Sequence, residues 1–199
     1  MVAQLITIEA LTLGKTRQRA FIIDGLVERN AQRGLYQRFK GIPFQLNLAD
    51  HRNSDYALHF VHHFAREDWI ADLVIKRYVK IAETILHQRR QKWRGVDRVY
   101  VNATLFGDYN FCHRDGCDWT ALAFVNDEWR DHWGGELMLY RDGDLDAPAI
   151  AIRPKPGRMV IFDGHMVHRP GVPTKYCLEP RVTLACKIGE GRPTGKRPR

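Results

Sequence analysis

Three residues of types that bind metal ions lie in two short segments of the second half of this sequence. His113 and Asp115 stand two apart in "GDYNFCHRDGCDWT", and His168 ends "RMVIFDGHMVH". On an extended segment residues i and i+2 point to the same side, so one imidazole and one carboxylate can reach one ion. A barrel can fold the strand before His168 beside the first pair. The spacing therefore predicts a metal site made of His113, Asp115 and His168.

Two histidines and one carboxylate on one face of an ion leave other positions open, which is how non-haem Fe(II) oxygenases are built. A zinc hydrolase is the chemical alternative. A His-x-Asp triplet also arises by chance in a chain with nine histidines. His59, His62 and His63 have no carboxylate two residues away, and we interpret them as structural. His165, three residues before His168, remains an alternative ligand.

Arg181 adds a second kind of chemistry. It opens the strand-like run "RVTLACKI", and its planar guanidinium suits a carboxylate. Thr183 has the same sidedness and offers a hydroxyl donor. A co-substrate with two acid ends needs one end on the metal and the other on a fixed cation. Arg181 and Thr183 alone are a routine strand pattern, but together with the histidines and the aspartate they favour a decarboxylating oxygenase.

The elements that must position these residues change type near residue 97. The first half is mixed and mostly helical, with one helix capped by Asp24 and ending near Gly41, and a second over "EDWIADLVIKRYVKIAETILHQRR". Short β-type runs follow, separated by turns: "RVYVNATLF", "TALAFVN", "GELMLY", "AIAIRP", "GRMVIF" and "RVTLACKI". Such strands predict a sandwich or barrel, of which a jelly roll is one form, with helices on one face of the sheet in an α+β fold.

Length and composition bound the remaining possibilities. We expect 199 residues to form one domain over 1–188, mostly helical over about 1–95 and strand-rich over about 97–188. No run of eighteen apolar residues is present and the N-terminus does not resemble a signal peptide, so we expect a cytoplasmic protein without a membrane partner. The four cysteines match no zinc ribbon and are expected to be free thiols, although a Cys112–Cys117 disulfide stays possible.

The net charge of +8 permits an anionic substrate or nucleic acid without selecting either. The segment 189–199, "GEGRPTGKRPR", is basic and rich in Gly and Pro, which predicts a disordered tail. The sequence leaves the oligomeric state open.

The stretch from about Tyr100 to Ile188 resembles the catalytic core of iron(II)/2-oxoglutarate-dependent dioxygenases, and within them the prolyl 4-hydroxylase-like group. The similar features are the His-x-Asp triplet, "TALAFVNDEWRDHWGGELMLY" with its Gly-Gly-Glu-Leu strand, "PKPGRMVIFDGHMVH" ending in the distal histidine, and then Arg181 and Thr183 in the family's order. The resemblance implies a double-stranded β-helix, or jelly roll, supported by N-terminal helices.

By that resemblance, His113, Asp115 and His168 bind Fe(II), and Arg181 with Thr183 holds the distal carboxylate of 2-oxoglutarate. With O2, the family converts 2-oxoglutarate to succinate and CO₂ and usually hydroxylates a bound C–H. Thr104 stands where prolyl hydroxylases often have a tyrosine, so Tyr100, Asn102 or Tyr109 are candidates for the missing polar contact. Loop candidates for substrate contacts are Asp118, Trp119 and Arg169.

The expected function is hydroxylation of a small molecule, such as an amino acid or a biosynthetic intermediate. The alternatives are hydroxylation of a protein side chain such as proline, nucleic-acid dealkylation, and a non-catalytic metal-binding jelly roll. The insert "GVPTKYCLEP" departs from the prolyl enzymes. Thr183 and Lys187 stand where dealkylases usually have asparagine and arginine, and Arg181 argues against a module without a co-substrate. Nucleic acid is therefore a disfavoured partner.

Overall fold

Alternating side chains along the strands of the second half build a barrel of two facing sheets. The computed structural model describes residues 5–47, 59–146 and 148–189. Its elements are, in chain order, β1 Thr7–Leu13, β2 Gln18–Asp24, α1 Arg29–Lys40, β3 Gln45–Asn47, β4 His59–Phe64, α2 Arg66–Ala71, α3 Leu73–Gln88, β5 Val96–Thr104, β6 Trp119–Phe124, a 3-10 turn Asp131–Trp133, β7 Leu137–Tyr140, β8 Pro148–Ile152, β9 Met159–Asp163, β10 His168–Pro170 and β11 Arg181–Ile188.

The two sheets are antiparallel and differ in size. The large sheet has the order β1-β2-β9-β6-β11-β5-β4-β3, and the small one β10-β7-β8. Leu122 and Phe162 of the large sheet pack with Leu137, Leu139 and Ile152 of the small sheet in one buried cluster. The expected α+β fold with a jelly-roll core is present, and the space between its two sheets is where a site can form.

The helices cover the opposite face of the large sheet. On α1, Leu35 and Phe39 are buried, and α3 buries Ile75, Ala82 and Leu86. These residues form one cluster with the outward-facing residues of the large sheet. Because side chains alternate along each strand, the same strands send the intervening residues into the space between the sheets. In the described chain α1 and α3 therefore lie on one face of the large sheet, and the strands β1 to β4 accompany them in the first half of the chain.

The first half of the chain contains strands that the sequence pattern did not predict. β1 to β4 extend both edges of the large sheet, with β2 paired to β9 and β4 paired to β5. The expected helix cap at Asp24 is wrong, because α1 begins at Arg29 and Asp24 ends β2. The carboxylate of Asp24 instead accepts hydrogen bonds from Arg158 and Lys155.

The single helix expected over residues 67–90 is interrupted at Asp72. The Asp72 side chain accepts hydrogen bonds from the backbone N–H groups of Val74 and Ile75, at 2.9 and 3.0 Å, and so caps α3. It also pairs with Arg38 of α1. Leu73 is the first residue of α3, and its side chain is exposed and does not join the buried face of that helix.

Three further expectations concern the remaining features of the chain. All four cysteines are free thiols. Among the described helices, none is long and apolar enough to cross a membrane. The predicted tail 189–199 lies outside the described residues except for Gly189.

Candidate metal and co-substrate site

His113, Asp115 and His168 come together at one end of the barrel. Each offers one ligand atom, and these atoms lie within 4.8 Å of one another. The backbones of His113 and His168 exchange two hydrogen bonds of 3.0 Å each. His113 thus forms an isolated antiparallel β-bridge with His168, the first residue of β10. Their imidazole centroids are 4.3 Å apart. The strand pairing that adds residue 113 to the small sheet is thus what places the two histidines side by side.

Both histidines are oriented by the same local contact. Nδ1 of His113 lies 2.9 Å from the carbonyl oxygen of Phe111, and Nδ1 of His168 lies 3.0 Å from that of Met166. In each case Nδ1 donates to the carbonyl oxygen and fixes the ring, so that Nε2 faces Asp115, at 3.6 Å for His113 and 3.4 Å for His168. Burial lowers the pKa of His168 to about 3 despite the nearby carboxylate of Asp115. His168 is therefore neutral near pH 7, as a ligand must be.

A turn that only glycine can form holds the backbone of Asp115. The carbonyl oxygen of Gly164 accepts hydrogen bonds from the N–H groups of Asp115 and Gly116, at 2.9 and 3.2 Å. A Cβ atom on Gly164 would lie 2.2 Å from the carbonyl oxygen of Cys117. Since such a contact is impossible, a larger residue at position 164 displaces the loop that carries Asp115.

A buried lysine, Lys187, contacts a predicted ligand and was missed by the sequence reasoning, as was its neighbour Thr120. Its ammonium contacts Oδ2 of Asp115 and lies 3.2 Å from the hydroxyl of Thr120, which itself donates to Asp115. Lys187 lies on β11 opposite Thr120 of β6 and is only 3% exposed. The available signal was its spacing, because Arg181, Thr183 and Lys187 occupy alternate positions of one strand and share its inner face.

The pair of Lys187 and Asp115 sets the charge of the site. Burial raises the pKa of Asp115, but the Lys187 ammonium together with His168 and His113 outweighs it and holds that pKa well below its usual range. Burial lowers the pKa of Lys187, but Tyr100 and the Asp115 carboxylate together raise it above its usual value. Both groups are therefore ionised at neutral pH. Oδ2 of Asp115, which Lys187 and Thr120 contact, also lies 3.4 Å from Nε2 of His168, while Oδ1 lies 3.6 Å from Nε2 of His113.

Arg181 is buried on the inner face of β11 and forms no ion pair with a carboxylate among the described residues, although Glu136 is near enough to raise its pKa. It is 1% exposed, and its Nε and Nη2 atoms have no hydrogen-bond partner among the described residues. Burial lowers its pKa to about 10, which still leaves it charged at pH 7. Its guanidinium lies 5.0 Å from the ring centroid of Phe124. A buried guanidinium with free donors is costly unless an anion binds it, so the structure fits the carboxylate of a co-substrate at this position.

Other predicted co-substrate residues line the same inner face. Thr183 is 1% exposed and lies opposite Asn102 of β5, whose Oδ1 atom is buried without a hydrogen-bond partner. Tyr100 lies on β5, with its ring centroid 5.7 Å from the Lys187 ammonium. Tyr109, in contrast, is 58% exposed and packs on Phe111. Among the three candidates for the missing polar contact, the structure thus brings Tyr100 and Asn102 to the barrel interior.

Thr104, where prolyl hydroxylases often have a tyrosine, is buried opposite Arg181 in the pairing of β5 and β11. The residue opposite Arg181 is therefore a short hydroxyl side chain and not the tyrosine that the resemblance implies.

The three predicted substrate residues are not gathered at the metal group. Trp119 faces the helices and packs on Phe21, with ring centroids 6.0 Å apart. Asp118 pairs with Arg94, with Nε and Oδ2 separated by 3.4 Å. Arg169 points to the outer face of the small sheet, where its Nη2 lies 3.3 Å from the sulfur of Met138.

The other histidines considered as ligands stand apart from the group. His165 is exposed. Its carbonyl oxygen accepts a hydrogen bond from Nε of Arg114, which is also exposed. His62 and His63 lie on β4, where Nδ1 of His62 is 3.0 Å from the carbonyl oxygen of Pro43. The side chain of His59 lies outside the described residues.

The comparisons with known proteins agree with this chemistry. Residues 100–186 match the family model described as the 2OG-Fe(II) oxygenase superfamily. The match covers 87 of the 199 residues and includes all three candidate ligands, and it supports an oxygenase that uses Fe(II) and 2-oxoglutarate with O2. No curated protein sequence matches the chain.

Solved structures show that the oxygenase fold extends over nearly the whole chain. A prolyl-4-hydroxylase from Pseudomonas putida has 13% identity and a TM-score of 0.60, with 94% of each chain covered. A prolyl hydroxylase from Trichoplax adhaerens, in complex with a fragment of hypoxia inducible factor, has 15% identity and a TM-score of 0.66, covering 89% of this chain and 87% of that one. The non-heme alpha-ketoglutarate-dependent epimerase SnoN from nogalamycin biosynthesis has 13% identity and a TM-score of 0.64, covering 88% and 81%.

Proposed function

We propose that His113, Asp115 and His168 hold the Fe(II) ion of this oxygenase, and that Arg181 with Thr183 binds the distal carboxylate of 2-oxoglutarate. The observation that carries the proposal is the buried Arg181, whose Nε and Nη2 donors have no partner among the described residues. It stands on the same barrel interior as the three candidate ligands. His168 contacts Phe162, and Arg181 contacts Phe124, and both phenylalanines belong to the cluster between the sheets.

Each of these side chains contributes position rather than reactivity. When bound, Fe(II) supplies the O2 chemistry that couples decarboxylation of 2-oxoglutarate to oxidation of a substrate C–H. The backbone carbonyls of Phe111 and Met166 orient the imidazoles, and Lys187 with Thr120 restrains one oxygen of Asp115. Arg181 fixes the far end of the co-substrate, and the surrounding apolar cluster keeps water away from the reacting atoms.

We propose a small molecule, such as an amino acid or a biosynthetic intermediate, as the substrate that is hydroxylated. Residues 1–188 are taken as one oxygenase domain, because α1, α3 and β1 to β4 build the support layer and the edges of the same sheet. Little of the described chain is left over for a separate peptide-binding module.

Hydroxylation of a protein side chain such as proline is the second candidate. It is favoured by the structural likeness to the Trichoplax adhaerens prolyl hydroxylase in complex with a peptide fragment, at a TM-score of 0.66. Against it stand Thr104 in place of the expected tyrosine and the loop of residues 171–180 between β10 and β11. The likeness to the epimerase from nogalamycin biosynthesis, at a TM-score of 0.64, supports the first candidate to a similar degree.

The site assignment is tested by anaerobic titration of the metal-free protein with Fe(II) and 2-oxoglutarate, followed by the visible charge-transfer band of the chelate. We expect the band in the wild type and its loss in His168→Ala. His165→Ala is the matched control, since His165 is exposed near the site and should leave the band unchanged. Survival of the band in His168→Ala, or its absence in the wild type, contradicts the assignment.

The substrate class is tested separately by succinate release. Free amino acids and biosynthetic intermediates, proline-containing peptides and methylated oligonucleotides are supplied in parallel arms. Turnover that depends on a small molecule supports the first candidate, and turnover that depends on peptide supports the second. Stimulation only by oligonucleotides would mean that both candidates are wrong.

A further inference from the structure

An arginine-rich cleft lies on the helix-covered side of the large sheet, away from the space between the sheets. Its volume is about 500 Å³, and we call it the arginine cleft. Its walls come from the β1–β2 turn, from β2, from the C-terminal end of α3 and from the ends of β6 and β9. The lining residues are Arg17, Arg19, Arg89, Arg90, Gln91, Trp119 and Asp163.

The charge of the arginine cleft is unbalanced. Among the described residues, none of its four arginines forms an ion pair with a carboxylate. The one acid in the lining, Asp163, accepts a hydrogen bond from the backbone N–H of His165 at 2.8 Å. Elsewhere, exposed arginines do find acids, as Arg130 does with Glu128 and Arg153 with Asp131, at 2.8 and 2.9 Å. Four positive charges that converge on a single acid leave an excess of positive charge, which indicates a site for an anion.

Local structure accounts for only part of this cluster. Arg89 and Arg90 end α3, where a helix dipole favours cations, and Arg89 lies 6.0 Å from the ring centroid of Phe21. That explanation does not reach Arg17 and Arg19, which belong to the β1–β2 hairpin. Arg17 and Arg90 also have φ angles of +54° and +55°, a backbone region that glycine and asparagine occupy more readily. Backbone geometry therefore does not explain the choice of arginine at either position.

The chemistry of the lining selects phosphate. Guanidinium groups bind phosphate oxygens through paired hydrogen bonds, and four of them can serve more than one phosphate group. The cleft volume falls within the range of about 300–1,000 Å³ for small-molecule sites. Trp119 is only 8% exposed, so it offers no open face on which a nucleic-acid base could stack, as sites for single strands usually do.

We propose that the arginine cleft binds a small ligand that carries at least two linked phosphate groups. The cleft and the metal group lie on opposite faces of the large sheet, because Trp119 packs with the helices while Thr120, its neighbour, donates to Asp115. The bound ligand is therefore distinct from the molecule that is oxidised. This proposal does not depend on the assignment of the metal ligands or of the oxygenase substrate.

The test is isothermal titration of the full-length protein with inorganic triphosphate. The wild type should bind saturably, and Arg19→Gln/Arg90→Gln should bind at least about tenfold more weakly, since charge-assisted hydrogen bonds are lost. Arg66→Gln/Arg77→Gln is the matched control, because it removes the same charge from exposed positions outside the cleft. Far-UV circular dichroism and the midpoint of thermal unfolding report that each variant is folded, whatever the metal group binds.

Three results overturn the proposal. The first is the absence of saturable triphosphate binding to the wild type at low salt. The second is an equal loss of affinity in the control variant, which means that net charge alone attracts the anion. The third is tight binding of a single-stranded or duplex oligonucleotide that triphosphate does not displace, which makes the surface a nucleic-acid site instead.

Discussion

Substitution of Lys187 by methionine tests whether the buried charge pair at the metal group is as important as its geometry indicates. Lys187 and Asp115 have side chains only 4% and 5% exposed, so the variant leaves a buried carboxylate without its counter-charge. Breaking such a pair costs about 3–5 kcal/mol of the free energy of unfolding. For a domain of this size, that corresponds to a fall in Tm of roughly 6–20 °C.

The assay is thermal and urea unfolding of the metal-free protein at pH 8. Lys80→Met is the matched control, because Lys80 is 71% exposed and its pair with Glu83 should contribute only about 0.5 kcal/mol or less. Adding Fe(II) under anaerobic conditions should stabilise Lys187→Met more than the wild type, since the metal ion then supplies the missing positive charge near Asp115. The difference in free energy of unfolding between Lys187→Met and the wild type should also become smaller at lower pH, because without Lys187 the folded state binds a proton on Asp115 more readily.

Two outcomes would refute this reasoning about Lys187. One is a decrease in the free energy of unfolding of Lys187→Met that is no larger than the decrease in Lys80→Met. The other is equal stabilisation of the wild type and Lys187→Met by Fe(II), which would mean that Lys187 does not share Asp115 with the metal ion.

Three further predictions concern the co-substrate and the fold. Arg181→Leu should weaken 2-oxoglutarate binding roughly a hundredfold and Arg181→Lys roughly tenfold, because lysine keeps the charge but not the fork; titration of the charge-transfer band measures both, and equal affinities would contradict the role. Asp24→Asn should lower the free energy of unfolding at pH 7 by about 1–2 kcal/mol, since Arg158 and Lys155 lose an ionised partner. Hydrogen bonds from Arg158 lower the pKa of Asp24 in the folded state. The contribution of Asp24 to the free energy of unfolding is therefore complete above its unfolded pKa of about 3.9 and is lost as the pH falls through its folded pKa. A difference in stability between Asp24→Asn and the wild type that persists in strong acid would contradict this prediction. Asp72→Ala should cost about 1 kcal/mol by removing the cap of α3, and an unchanged urea midpoint would show that the cap is unimportant.

Local sequence patterns were sufficient to predict the strands of the barrel, but they did not predict the strands in the first half of the chain. β5 to β9 and β11 coincide with short β-type runs, each bounded by turn residues. β2, however, pairs with β9, so Phe21 lies opposite Ile161, from the far end of the sequence. A local pattern carries no information about such a distant partner. The break at Asp72 likewise depends partly on Arg38, which α1 brings to the start of α3.

The sequence by itself determined the kinds of side chain available for the site and their sidedness. The His-x-Asp spacing puts His113 and Asp115 on one side of an extended segment, and the alternation of β11 puts Arg181 and Thr183 on one face. These relations follow from local backbone geometry, whose period is fixed.

Only the tertiary structure decided which of these residues meet and which remain without partners. Strand pairing brings His168 to His113, the register of β11 with β6 turns Lys187 onto Asp115, and packing between the sheets buries Arg181 without a described anion. Trp119, close to the predicted ligands in sequence, faces the helices instead. The physical reason is that contact between residues distant in the chain depends on sheet register and layer packing, which no short segment specifies.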